Sequence, residues 1–142
     1  MPNICTNNLA IRGNKAEIIE LVWLVALPPA AFSLEAFIPD PNFGWCREQY
    51  QWRIENWGIN RDILESDVTM MEDGVAFSFQ TAWDAPVKAI GKLAEMFPSL
   101  SFDYDFGERG MNFTGHVVFE NGVQTERKDG TYSDMEEENE TN

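Results

Sequence analysis

Two aspartates two positions apart, Asp103 and Asp105 in the stretch SFDYDF, are the residues whose type and spacing come nearest to a catalytic pair. On a strand they point to the same face with side-chain origins about 7 Å apart, within the range of about 5–9.5 Å that separates the paired carboxyl groups of glycoside hydrolases. Alternation with Phe102, Tyr104 and Phe106 accounts for the pair equally well as the solvated side of a strand, and that is the reading taken. The one histidine, His116, falls on the polar side of MNFTGHVVFE, where Asn112, Thr114, His116, Val118 and Glu120 alternate with Met111, Phe113, Gly115, Val117 and Phe119. A single imidazole and two cysteines 41 positions apart, Cys5 and Cys46, argue against a structural zinc site. No metal and no cofactor are expected. The sequence contains no G-x-S-x-G, P-loop or G-x-G-x-x-G pattern, which removes the simplest hydrolase, NTPase and dinucleotide readings. No residue is assigned a catalytic role, and the expectation is a protein that is not an enzyme.

Other motifs resolve into structural readings. Arg109, Gly110 and Phe113 echo the R-G-x-x-F part of an RNA-binding pattern, but the rest of the match fails and no basic patch accompanies it. In FSFQTAWDAP, alternation stops at Trp83, so Asp84 is expected to cap a helix, with Trp83 packing at its entrance. The segment NFGWCREQYQWRIENWG holds three of the five tryptophans. As a helix over 46–56 it stacks Tyr50, Ile54 and Trp57 in one row and Trp45, Gln49 and Trp52 in another, a wide aromatic face whose first use is core packing. Such aromatics are also enriched in binding hot spots.

Charge sets the partner class. The chain of 142 residues carries a net charge of -14, and removing the C-terminal DMEEENETN still leaves 19 acids against 10 bases. Such a surface repels phosphate backbones and anionic lipid and attracts basic surfaces. The longest uncharged stretch, Leu21 to Leu34, is 14 residues and is broken by Pro28-Pro29, whereas a membrane span needs about 20 apolar residues. The N-terminal MPNICTNN has neither a basic n-region nor an apolar h-region. A soluble protein of a cytoplasm with reduced thiols is expected.

The elements that must position these residues follow from periodicity. Ile4 to Ile11 reads as a strand, Gly13-Asn14 as a turn, and Asn14 as the cap of a helix over 15–27, with Glu17 completing a capping box. The second half of that helix, LVWLVAL, is apolar on every side, which predicts burial all round. A linker containing four prolines runs from Pro28 to Pro41. Strands over 63–71 and 74–82 join at Glu72-Asp73-Gly74. Val87, Ile90, Ala94 and Phe97 then make a helical stripe, and strands beginning at Ser101 and Met111 follow. Asn121-Gly122 turns into a last short strand over 123–127. The order suggests a ferredoxin-like split βαβ α+β sandwich: an antiparallel sheet with helices on one face and an extra aromatic-rich helix. One domain over 1–128 is expected, with 129–142 an acidic, disordered tail.

The segments MPNICTNNLAIRG, FSLEAFIPDP, WGINRD, FQTAWDAP and FPSLSFDYDFGERGMNFTG together resemble the YubB-type ferredoxin-like domain family of phages and conjugative plasmids. The resemblance covers residues 1–122 and implies the same fold and a mobile-element setting, with no catalytic residues. Two loops depart from the family pattern: Gly58-Ile59-Asn60-Arg61-Asp62, which lacks its lysine, and Asp84-Ala85-Pro86.

The resulting expectation is an acidic binding protein that inhibits a host nucleic-acid-binding defence complex of CRISPR or restriction type by imitating nucleic acid. The expected partner is a host protein with a basic surface, without direct contact to nucleic acid or membrane, and a homodimer is also compatible. The partner-binding residues are expected to be Asp103, Asp105, Glu108, Glu72 and Asp73 for charge, with Trp45, Trp52 and Trp57 for specificity. The alternative is a small-ligand or nucleotide-binding protein or enzyme, using a cleft between the aromatic helix and the sheet where Arg47, Arg53 or Arg61 meets an anion.

Overall fold

The computed structural model describes residues 3–44 and 46–135. Strands with period-two burial dominate: β1 (Ile4–Arg12), β2 (Glu65–Met71), β3 (Gly74–Ala82), β4 (Ser101–Glu108), β5 (Phe113–Glu120) and β6 (Val123–Gly130). They form one sheet in the order β2-β3-β1-β4-β5-β6, and every neighbouring pair is antiparallel. Helices α1 (Lys15–Val25), α2 (Leu34–Phe37), α3 (Arg47–Asn56) and α4 (Val87–Met96) cover one face. Without β5 and β6, which widen the sheet at one edge, the strands and helices keep the βαββαβ arrangement of a ferredoxin-like domain, as expected.

The core lies between sheet and helices. Leu9 and Ile11 from β1, Val75, Phe77 and Phe79 from β3, and Phe102, Tyr104 and Phe106 from β4 meet Leu21, Ile90 and Leu93 from the helices. Alternate residues of the same strands point away from the helices; the helical turn at 132–135 packs at one end of that face, with Tyr132 against Gly107, and the other described elements leave it open.

Several local expectations are corrected. Asn14 does cap α1, accepting from the amides of Ala16 and Glu17, but Glu17 turns instead to accept from the Ser99 hydroxyl, so no capping box closes. Helix α1 stops at Val25, where the chain extends at Ala26. Only its Ile18, Leu21 and Val25 stripe is buried, while Trp23 stands 78% exposed because the sheet lies on one side alone. The proline linker contains α2, whose N-terminus is held by a distant acid. Asp62 accepts from the amides of Leu34 and Glu35 and from the Ser33 hydroxyl at 2.7–3.2 Å, and from its neighbour Ile63. The linker's far end is tied by Asp40, whose carboxylate accepts from Arg53 at 2.8 Å. Burial acts to raise the Asp40 pKa, but hydrogen bonds from Asn42 and Arg53 outweigh it and hold the group below its usual range.

Helix α4 begins at Val87 with Pro86 at the cap position, and no side chain caps it. Asp84 therefore does not cap the helix; its carboxylate accepts from the adjacent Ala85 amide while its carbonyl accepts from Thr81. Trp83 takes a left-handed φ of 71° and is half exposed, so it does not pack at the entrance. Met111 and Asn112 belong to the turn before β5, with Met111 exposed and Asn112 at φ 53°. At the C-terminal side, β6 continues through Gly130 and a helical turn follows at 132–135, with Tyr132 stacked beneath the Arg109 guanidinium at 4.2 Å. The folded part therefore extends beyond residue 128, and the expected tail over 136–142 lies outside the described residues.

Replacing Asp62 with alanine removes one acceptor shared by three backbone amides and a hydroxyl. The expected result is a loss of about 2 kcal/mol in unfolding free energy, read from the denaturant midpoint at unchanged m-value.

Candidate partner-binding face

Residues facing each other across an antiparallel pair share a face, so the sheet registers define the surface opposite the helices. One row crosses all six strands as Asp67, Ser78, Asn8, Asp105, His116 and Lys128. A second runs Thr69, Ala76, Ala10, Asp103, Val118 and Glu126, and a third begins Glu65, Gln80, Thr6. Five carboxylates, Glu65, Asp67, Asp103, Asp105 and Glu126, thus stand on the one face turned away from the helices. Lys128 lies on it too, and Arg12 sits at its end in an ion pair with Asp73 at 3.3 Å.

The sequence-predicted residues separate sharply. Asp103 and Asp105 do lie side by side on this face, and the structure adds His116 to them. Its Nδ1 is 2.7 Å from Asp105 and 3.5 Å from Asp103. The hydrogen bond to Asp105, joined by the nearby charges of Asp105, Asp103 and Glu126, raises the His116 pKa above 6.5 against the opposing effect of burial. His116 is thus a partnered side chain rather than a merely solvent-facing one. Glu72 and Asp73 are exposed at the β2–β3 tip, on the end of the face beside Arg12.

Glu108 is no partner-binding residue. It is 2% exposed, and its two carboxylate oxygens accept from the amides of Gly110 and Met111 at 2.6 Å each. It folds the β4–β5 turn. Trp57 is likewise unavailable: it is fully buried, its indole N–H donates to the Ile38 carbonyl at 2.9 Å, and Trp52 packs edge-on against it. These two tryptophans belong to the helical layer, on the opposite side of the sheet from Asp103 and Asp105, so one docking event cannot use both sets. Tyr50, expected on the aromatic face, is 56% exposed, and Trp45 lies outside the described residues. Arg53 stacks over Trp57 at 4.7 Å and is bound to Asp40, whereas Arg47 and Arg61 are exposed.

An open groove of about 910 Å³ runs along the face where β1, β4, β5 and β6 meet the turn at 132–135, lined by Thr6, Asn8, Asp105, Thr114, His116 and Tyr132 among others. Nearby, Cys5 points into the core, where burial pushes its thiol up to about 11, so it is no nucleophile for this surface. No helix among the described residues is long and apolar enough to cross a membrane.

Fold and face together define an α+β ferredoxin-like domain with a widened sheet and one carboxylate-rich face turned away from the helices. The chain belongs to the family described as the ferredoxin-like domain in Api92-like protein, which matches residues 52–142. Among solved structures, it is similar to the crystal structure of a protein api92 from Yersinia pseudotuberculosis, at 13% identity and a TM-score of 0.46. That match covers 59% of this chain and 30% of the other, so the likeness spans under a third of that protein. Comparison with curated proteins returned no match.

Two measurements check the electrostatics. Because the folded-state pKa of His116 is raised, its pairing with Asp105 stabilises the protein fully below the unfolded histidine's pKa and ceases to do so as pH rises through the folded value. The melting temperature of the parent should therefore exceed that of His116→Gln in mildly acidic buffer, with the gap closing towards alkaline pH. Glu108→Gln should lower stability by about 1–3 kcal/mol, because a buried charged acceptor shared by two turn amides is lost; an unchanged denaturant midpoint would contradict the turn-holding role.

Proposed function

We propose that this chain is a non-enzymatic binding protein whose open sheet face docks onto a basic protein surface, one that itself binds nucleic acid. The observation that carries the reading is the concentration of Glu65, Asp67, Asp103, Asp105 and Glu126 on the face turned away from helices α1 to α4, with Lys128 and the ion-paired Arg12 among its basic residues. Strands lie about 4.8 Å apart, so the carboxylates form a fixed two-dimensional array that needs little ordering on binding. Such an array speeds association with a positive groove and loses strength as salt rises. Specificity comes from polar groups of the same face, Thr6, Asn8 and Ser78, and from its rim, rather than from Trp52 and Trp57. The resemblance to phage and plasmid domains makes a host defence complex of CRISPR or restriction type the target class, and the bacterial cytoplasm the place of action. In this reading the protein occupies the groove that nucleic acid would fill and performs no chemistry.

The test compares the tagged parent with a variant carrying Asp67→Asn, Asp103→Asn, Asp105→Asn and Glu126→Gln in pull-downs from bacterial lysate at low and high salt. The expected outcome is capture of a nucleic-acid-binding protein that added duplex DNA or high salt releases and that the variant fails to retain. Equal capture by the variant would overturn the reading.

A further inference from the structure

We propose that Asp103, Asp105 and His116 form a binding site for a divalent first-row transition metal ion on the open face of the sheet. One ligand atom from each residue lies within 4.8 Å of the others. The imidazole Nδ1 stands 2.7 Å from one carboxylate and 3.5 Å from the other. Around a tetrahedral ion with bonds of about 2.0–2.2 Å, ligand atoms are separated by about 3.3–3.6 Å, so small side-chain rotations convert the present arrangement into a coordination triangle. The backbone is already fixed for it. Asp105 and His116 are directly opposed on β4 and β5, and Asp103 lies two residues along the same strand.

The use made of other carboxylates sharpens the assignment. Asp40, Asp62 and Glu108 each accept hydrogen bonds that hold a loop, a helix end or a turn. Among the described residues, Asp103 and Asp105 have no hydrogen-bond or ion-pair partner except His116, so the fold makes no structural use of them. They repel one another across a short distance, and one imidazole offsets that only in part; a dication between them offsets it fully. Glu126 adds a further negative field from β6, while Lys128, opposite His116, is the cation that opposes it. Open coordination positions are available because the cluster lies where two grooves meet, one lined by Asp105 and His116 and the other by Asp103 and Asp105. Three protein ligands and an open side describe an exchangeable site rather than a closed structural one. The imidazole nitrogen selects zinc, copper, iron or nickel over magnesium and calcium, which take oxygen ligands. The inference concerns the isolated protein and stands whether or not the face docks a basic partner.

The one histidine makes the experiment direct, since the imidazole proton resonances of the full chain belong to His116 alone. Zinc chloride titrated into the protein at slightly alkaline pH should shift those resonances saturably with one equivalent, whereas magnesium chloride at the same concentration should leave them in place. Asp105→Asn should weaken the zinc response by roughly tenfold or more, given that loss of outer-shell partners alone costs about 10- to 100-fold. Asp103→Asn with Asp105→Asn should abolish it, while the dispersion of the remaining spectrum reports that this variant is folded. Zinc held elsewhere, for instance at the exposed Cys46 thiol, would leave the imidazole signals unmoved. That result would overturn the site, as would an undiminished shift in the double variant or an equal response to magnesium.

Discussion

The register of β1 is the constraint from which the rest of the structure follows. β1 is the central strand, paired with β3 on one side and β4 on the other, and one polar residue pins it in place. Asn7 is buried among aromatic rings, yet each of its polar atoms is satisfied. Its amide donates to the Cys5 and Phe79 carbonyls and to the Thr81 hydroxyl, and its oxygen accepts from the Tyr104 hydroxyl. One side chain thereby ties three strands together. A slip of one residue would bury Thr6 and Asn8 and expose Leu9 and Ile11, and it would also strand these buried polar groups without partners.

That register divides the chain into two chemistries. Odd-numbered residues of β1 face the helices with the aromatic rings of β3 and β4, and there the tryptophans of α3 and its C-terminus are absorbed into packing. The even-numbered residues face solvent together with the acids of β2, β4 and β6. The fold thus sends most of its aromatic groups and this set of acids to opposite sides of one sheet, with Tyr132 beside the acidic face as the exception. Among the described residues, the larger apolar groups of the kind that anchor tight interfaces stand at one end of this face, where Tyr132 and Met135 line the groove. Affinity on such a surface depends on how many charges are placed rigidly at once, which a sheet provides better than a loop or a tail does.

Much of this was legible from local pattern. Period-two alternation identified the strands and assigned Asp103 and Asp105 to the outer face, and Asn121-Gly122 marked the last hairpin, where both residues take positive φ. What local pattern missed depends on contacts distant in sequence. Helix α2 is four residues long and owes its N-terminal anchoring to Asp62, 28 positions after Leu34. The cap of α3 is the Cys46 thiol, which accepts from the Gln49 amide, a role the residue type does not announce. Glu108 looked like one more surface acid because it ends a strand, yet the turn it closes buries it. β6 outran its expected end because it is an edge strand exposed along nearly its whole length, so it shows little alternation to read.

The pairing of His116 with the two aspartates was within reach of the sequence and was still not read from it. The stretch GERGMNF shows that β4 and β5 are joined by a tight connection, but a hairpin's register depends on which residues close the turn. Once Glu108 faces Phe113, each step inward is forced: Gly107 meets Thr114, Phe106 meets Gly115, and Asp105 meets His116. Glu108 closes the turn through its own carboxylate, so the buried acid that removed one expected contact residue also aligns the exposed acids with the imidazole. A turn longer by one residue on the β5 side would oppose Asp105 to Val117 instead, and the cluster would not exist. The anionic character of the face is therefore a matter of composition, whereas its one chemically distinctive spot is a matter of register, fixed by two amide hydrogen bonds at the end of β4.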